Sequence, residues 1–379
     1  MEGPPSPPDA PAREGADGYG STAGGTAALA AAVLLARVWI LLRFAGNFDT
    51  EAFRVAANLA LEGRNVYAGT HLYNYSPLWA GIVAVLWKLS RPDVLRFVHA
   101  LGLLQTGSDV ASAFLVGSIA RRLGRTPREA RLAGLLFFSN PLSVLASSAH
   151  GQFDSLAILP LLAAIALALG VEEGIRRRRT AIVVLLAASL LIKHVTAFQP
   201  LLFGRRWRRG GLRDLALLTP YAVFLASLLP FASAWRAIWA NVILYGTHGA
   251  QPSGLLHLVL VPEGWRILFT AVLGIAVLRA LRAGRDLELP RASLLLWLTT
   301  LTFLPAYGVQ YLVWPLAVGS LYPSLGLAVF TLVGALFHSG TSLRLSWPVG
   351  ATSLGTWAAA ALWLGLEGGR LRRSSPESG

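Results

Sequence analysis

The sequence predicts an all-α protein: a polytopic transmembrane helical bundle of about twelve spans. Three observations predict it. Apolar runs recur from residue 26 to residue 366. Of the 379 residues, 54% are hydrophobic and only 14% charged, with a mean hydropathy of +0.56. The basic residues gather in clusters between the apolar runs. A helix crossing hydrocarbon needs about 20 apolar residues, and such runs leave no room for a large soluble domain. Cysteine is absent, which excludes disulfides and thiolate metal sites.

The net charge of +14 is placed unevenly. Arg121, Arg122, Arg125, Arg128 and Arg131 form one cluster, and Arg176 to Arg179 a second. Arg205, Arg206, Arg208, Arg209 and Arg213 form a third. Arg279, Arg282, Arg285 and Arg291 form a fourth, and Arg370, Arg372 and Arg373 close the chain. The positive-inside rule assigns all five to the cytoplasm of a multi-pass plasma-membrane protein. Trp207 is the one aromatic interleaved with these clusters, so nucleic acid is not an expected partner and membrane lipid is.

The elements follow from these anchors. Residues 1–25, rich in Pro, Gly and Ala, read as a disordered cytoplasmic tail, without the basic start or cleavage site of a signal peptide. Residues 26–45 cross outward. Residues 46–93 form the first external loop, with a short helix from Thr50 to Glu62 that Gly63 can end. Residues 77–90 are apolar but short, and spanning there would put the first arginine cluster outside; they read as a juxtamembrane or re-entrant helix. Residues 94–120 return inward, 131–149 go out and 155–171 come in. Residues 180–204 carry arginines at both ends, so two short helices meeting at Lys193 are expected. Residues 214–230 go out to a long external loop, 231–264, with Trp235, Trp239, Tyr245, His248 and His257. Spans near 265–282, 291–306, 311–321, 323–338 and 347–366 complete a domain of residues 26–366. Residues 367–379 form a basic cytoplasmic tail.

This topology gathers polar groups on one outer face. Asp49 and Glu51, His150-Gly151-Gln152-Phe153-Asp154, Lys193-His194 and Tyr307-Gly308-Val309-Gln310-Tyr311 all fall at outer helix ends. Each has a plain reading too. Asp49 can cap a helix starting at Thr50, with Phe48 packed against its start. His150 to Asp154 can cap the following helix, although such groups are costly at a membrane edge. Lys193 can snorkel to headgroups, but the only other lysine is Lys88, and a compact cation suits a phosphate. Asp109, mid-span, shares a helical face with His99 and Thr106 and reads as a buried structural cluster linked to Arg96. The aromatics of 231–264 read as an interfacial belt.

Four segments resemble the GT-C glycosyltransferases, the integral-membrane class that uses polyprenyl- or dolichyl-phosphate sugars. Asp49 and its helix, then Glu62-Gly63-Arg64-Asn65-Val66-Tyr67 and Tyr73-Asn74-Tyr75-Ser76-Pro77-Leu78, resemble the first luminal loop of glycosylphosphatidylinositol mannosyltransferase I catalytic subunits and of bacterial mannosyltransferases. His150 to Asp154 resembles a Gly-His-Phe-Gln segment of the N-glycan glucosyltransferases, which also carry a lysine where Lys193-His194 stands. Gln310-Tyr311-Leu312-Val313-Trp314 resembles a Gln-Tyr-Phe-x-Trp stretch of the mannosyltransferases. The matches run in order from about residue 45 to 315; nothing beyond residue 320 is matched.

The resemblance implies a GT-C-like fold and a hexosyltransferase, mannose first, acting on the extracytoplasmic face. Asp49 would be the catalytic base. Glu51, Tyr75, His150, Gln152, Asp154, Lys193, His194, Gln310 and Tyr311 would bind a polyprenyl-phosphate sugar donor and a lipid or glycan acceptor. Asp49-Thr50-Glu51 replaces the Asp-x-Asp of the mannosyltransferases, so neither a metal nor another cofactor is expected. The competing function is a secondary transporter or lipid-linked sugar flippase, which would be signalled by matched broken helices in two repeats. No second copy of the 150–154 or 193–194 elements is visible in the C-terminal half.

Overall fold

A computed structural model describes residues 18–44, 46–169, 172–206, 216–243, 263–304, 308–343, 345–346 and 348–374. Every regular element among them is helical. Helix α1 spans Gly18–Phe44, α2 Phe48–Leu61, α3 Val66–Gly69, α4 Pro77–Ser90 and α5 Val94–Arg122. Helices α6, Pro127–Phe138, and α7, Pro141–Val144, lead through a π-turn at Leu145–Ala149 to α8, Asp154–Ala168. Then come α9, Glu172–Ile192, and α10, Pro200–Arg206. Helix α11, Thr219–Leu228, continues through a 3-10 turn into α12, Trp235–Ile238, and a second π-turn, Trp239–Ile243. Helix α13 spans Glu263–Ala283, α14 Leu289–Phe303, α15 Leu316–Gly319, α16 Leu325–Ser342 and α17 Val349–Ser374.

Five stretches are long and apolar enough to cross a membrane: Gly24–Phe44, Val94–Arg122, Ala216–Ile243, Leu325–Ser342 and Val349–Arg370. Pro127–Phe138 with Pro141–Ala149, bent by 48°, makes a sixth if taken as one. The chain is therefore all-helical and built for a membrane, with fewer full-length spans among the described residues than the twelve expected. The other expected spans are shorter or more charged. Helix α8 has 15 residues, a rise of roughly 22 Å against about 30 Å of hydrocarbon. It is buried on most sides and packs between α5 and α9, so protein surrounds it.

Close packing relies on small residues. A Cβ on Gly134 of α6 would lie 2.5 Å from the Ala113 carbonyl oxygen of α5, so only glycine permits this approach. Arg37 of α1 and Asp109 of α5 form a fully buried ion pair at 2.6 Å. The guanidinium also donates to the Phe138 carbonyl and to Ser143 Oγ, at 2.7 and 2.8 Å. Asp109 is thus a structural group, but its partner is Arg37; Arg96 is exposed near the start of α5.

Several boundaries differ from expectation. Helix α1 begins at Gly18, so residues 18–25 are helical where a tail was expected; the alanine-rich run from Ala27 favours extending the helix backwards. Helix α17 continues to Ser374, past the expected start of the basic tail, and its Glu367 is buried against Arg291 and Arg370. Residues 231–243 are helical, so the expected 231–264 loop has no loop character in its first part. Tyr245, His248 and His257 lie outside the described residues. Helix α9 ends at Ile192, so the expected break at Lys193 is present, although α9 has 21 residues and is not short.

Candidate functional site

The start of α2 decides what Asp49 can do. Asn47 is the cap: its side chain accepts from Thr50 N at 3.1 Å, and Asn47 N donates to Thr50 Oγ1 at 2.9 Å. The helix therefore begins at Phe48, and Asp49 stands in its first turn without a capping role. Phe48 is 70% exposed and is the first residue of the helix, so it does not stand before the cap where a staple would. The Asn47 amide also donates to the His150 carbonyl at 2.8 Å, fastening this corner to the segment that carries His150.

That segment is shaped by two backbone irregularities. The π-turn at Leu145–Ala149 widens the helix just before His150. Gly151, at φ +69°, then reverses the chain in a region that favours glycine. His150 is thereby held between α2 and α16. Its Nε2 lies 3.0 Å from Asp49 Oδ2, and its Nδ1 lies 2.8 Å from Ser342 Oγ. Ser342 Oγ in turn lies 2.8 Å from His338 Nδ1. With Asp49 ionised, His150 donates from Nε2 to the carboxylate, and Ser342 bridges the Nδ1 atoms of His150 and His338, donating to one and accepting from the other.

A second group lies deeper. After Ile192 the backbone of Lys193 is extended (φ −152°, ψ 123°), which ends α9 and turns the ammonium inward. Its Nζ donates to Asp154 Oδ2 at 2.6 Å and to Gln152 Oε1 at 3.3 Å. Trp314 Nε1 donates to the other Asp154 oxygen at 2.6 Å. The ammonium faces the rings of Phe153, Tyr75 and Tyr311 at 4.7, 5.4 and 5.6 Å. Lys193 and Asp154 are each 1% exposed. Tyr75 is buried within an aromatic cluster with Phe53, Phe153 and Trp79, the last two stacked at 3.7 Å.

Gln152 joins the two groups. Its Oε1 accepts from Lys193, while its buried Nε2 has no partner within hydrogen-bond geometry. That nitrogen still lies close enough to Asp49 to favour the ionised carboxylate. Burial by itself would raise the Asp49 carboxyl. The hydrogen bond and charge of His150, with Gln152 and Lys193, outweigh it and hold the group below its ordinary value. Asp49 remains partly open, its side chain 29% exposed against 13% for His150.

The sequence-predicted residues divide accordingly. Asp49, Tyr75, His150, Gln152, Asp154, Lys193 and Tyr311 come together. Glu51 does not; it is exposed and pairs with Arg54 on the outer side of α2. His194 turns away, its ring 6.3 Å from Phe224. The Gln310 side chain curls back over Gly308, and Tyr307 lies outside the described residues. Asn47, Phe153, Trp314, His338 and Ser342 also belong to the site. A histidine and serine four apart in the apolar run of α16 were the signal for the last two. Asp49 and His150 offer two ligand atoms to a cation, and no third His, Asp or Glu joins them among the described residues.

No family model matches the chain, and no curated protein matches it.

Proposed function

We propose that the chain is a membrane hexosyltransferase that moves a sugar, mannose first and glucose second, from a polyprenyl monophosphate to a lipid or glycan acceptor. The observation that carries this reading is Asp49: relieved of capping by Asn47, partly open, and oriented by His150 beside the buried Lys193–Asp154 pair. In one displacement the acceptor oxygen bonds to the anomeric carbon as the bond from that carbon to the phosphate oxygen breaks. The acceptor proton passes to Asp49, and the electron pair leaves on the lipid phosphate. The anomeric configuration inverts. The Gln152 amide nitrogen, buried and without an acceptor, supplies a hydrogen bond to the bound phosphate or hydroxyl. Lys193 acts from behind as a fixed positive charge that Asp154 holds in place.

In this reading the fold is GT-C-like, with about twelve crossings counting the shorter helices, and α2 and α4 lie in the first outer loop. The site opens to the extracytoplasmic face. The leading alternative is a carrier of lipid-linked sugars, a reading that the breaks at Lys193 and at the π-turn before His150 favour. Purified protein with polyprenyl-phosphate-mannose and an acceptor extract separates the two. Release of mannose from the carrier supports transfer; movement of the intact lipid across vesicles without release supports the carrier. Asp49→Asn is expected to lower transfer ~100- to 10,000-fold in a protein that still folds. Transfer is expected to persist in excess chelator. Near-normal turnover in the asparagine variant, or complete loss with chelator, would sink the proposed chemistry.

A further inference from the structure

A cavity of about 670 Å³ lies far from Asp49. Leu29 of α1, Arg125, Leu132 of α6, Arg291 of α14, Leu321 and Arg370 of α17 line it. Arg291 lies near the start of α14 and Arg370 near the end of α17, the ends of those helices remote from Trp314 and Ser342. From Leu325 to Ser342, α16 alone rises roughly 27 Å between the two regions. Its chemistry is divided. The leucines form an apolar wall, with Leu29 and Leu132 about half exposed at the rim between α1 and α6. Three guanidinium groups line the cavity against one lining carboxylate, Glu129, which is already engaged as the cap partner of Thr126. Glu367 holds Arg291 and Arg370 in place, while Arg125 is exposed and in no ion pair among the described residues. Arg291 Nε is buried and has no acceptor.

We infer that this cavity binds an anionic phospholipid. The acyl chains lie along the leucine wall, and the headgroup phosphate meets Arg125, Arg291 and Arg370. A volume in the usual range for ligand sites, walled mainly by apolar groups, suits a lipid and greatly exceeds a free phosphate. Arginine presents forked donors that fit phosphate oxygens. The inference does not depend on the transferase reading.

Native mass spectrometry of the full chain in mild detergent tests it, using phosphatidylglycerol, phosphatidylcholine with the same acyl chains, and inorganic phosphate as probes. Phosphatidylglycerol is expected to be retained over phosphatidylcholine and to resist displacement by phosphate. Arg125→Gln with Arg370→Gln should weaken retention roughly tenfold. Leu132→Trp, at a half-exposed wall position, should weaken it as well while leaving the charges intact. Equal retention of both lipids, displacement by inorganic phosphate, or variants that bind as the parent does would each overturn the inference. A folded protein is confirmed in every case by its unchanged helical circular dichroism.

Discussion

Asp49 is available for chemistry because Asn47, two residues earlier, does the capping. The sequence left both roles open, since aspartate at a helix start is common as a cap; the capping box between Asn47 and Thr50 removes that duty. His150 is then the strongest of the groups that hold it ionised against burial. The carboxyl sits below its ordinary value of 3.8, so it is ionised throughout the usual working range. A depressed carboxyl contributes stability above its unfolded value and loses it only as pH falls through the lower folded one. The acid limb of transfer due to Asp49 should therefore lie below pH 3.8. In His150→Ala the largest influence that lowers the carboxyl is removed, and the limb should move to higher pH. A pH–rate profile checks this; an unmoved limb would mean that His150 does not set the charge of Asp49.

At the level of elements, the break at Lys193 was legible because a lysine and a histidine interrupt an apolar segment with arginines at both ends. Its partner was not legible. Asp154 read as a cap or a ligand, and only the packing of α8 against α9 brings it to 2.6 Å from the ammonium. Lys193→Gln should leave a buried carboxylate with only Trp314 and cost about 3–5 kcal/mol, seen in thermal unfolding. Adding Asp154→Asn should recover much of that loss, and failure to recover would count against the pair as the source. Close approach of α5 and α6 depends similarly on Gly134. Gly134→Val should force the two helices apart and, through α6 and the π-turn, displace His150. A large fall in turnover with a lower unfolding temperature is expected, and a variant that is neutral in both would refute the coupling. The part of α16 in the site was signalled only by His338 and Ser342, four apart in a run that otherwise reads as a plain span with no resemblance beyond residue 320.

Across the whole molecule, the Asp49–His150 group and the arginines that line the cavity stand toward opposite ends of α16. The helix class followed from composition, since apolar runs of this length have few other uses. Apolarity alone does not separate a helix facing lipid from one, like α8, buried in protein, and five or six full-length spans stand out among the described residues beside the twelve crossings expected. The sidedness is open to direct test in a chain free of cysteine. Arg125→Cys and Glu51→Cys, both at exposed positions, should react with an impermeant thiol reagent from opposite sides of a sealed vesicle. Position 125 should label from the cytoplasmic side. Labelling of both from one side would dissolve the separation of the ends.

The Arg37–Asp109 pair bears on how the chain reaches the bilayer at all. Helix α1 leaves the ribosome long before α5, and during that interval its arginine has no partner. A lone arginine near the middle of an inserting helix costs roughly 2.5–3.5 kcal/mol. Helix α1 should therefore dwell at the protein-lined exit of the insertion machinery until Asp109 arrives. A chain truncated at residue 90 should insert α1 less completely than the same fragment with Arg37→Leu, and full-length Asp109→Asn should reproduce the delay. Glycosylation-site mapping of nascent chains reads both.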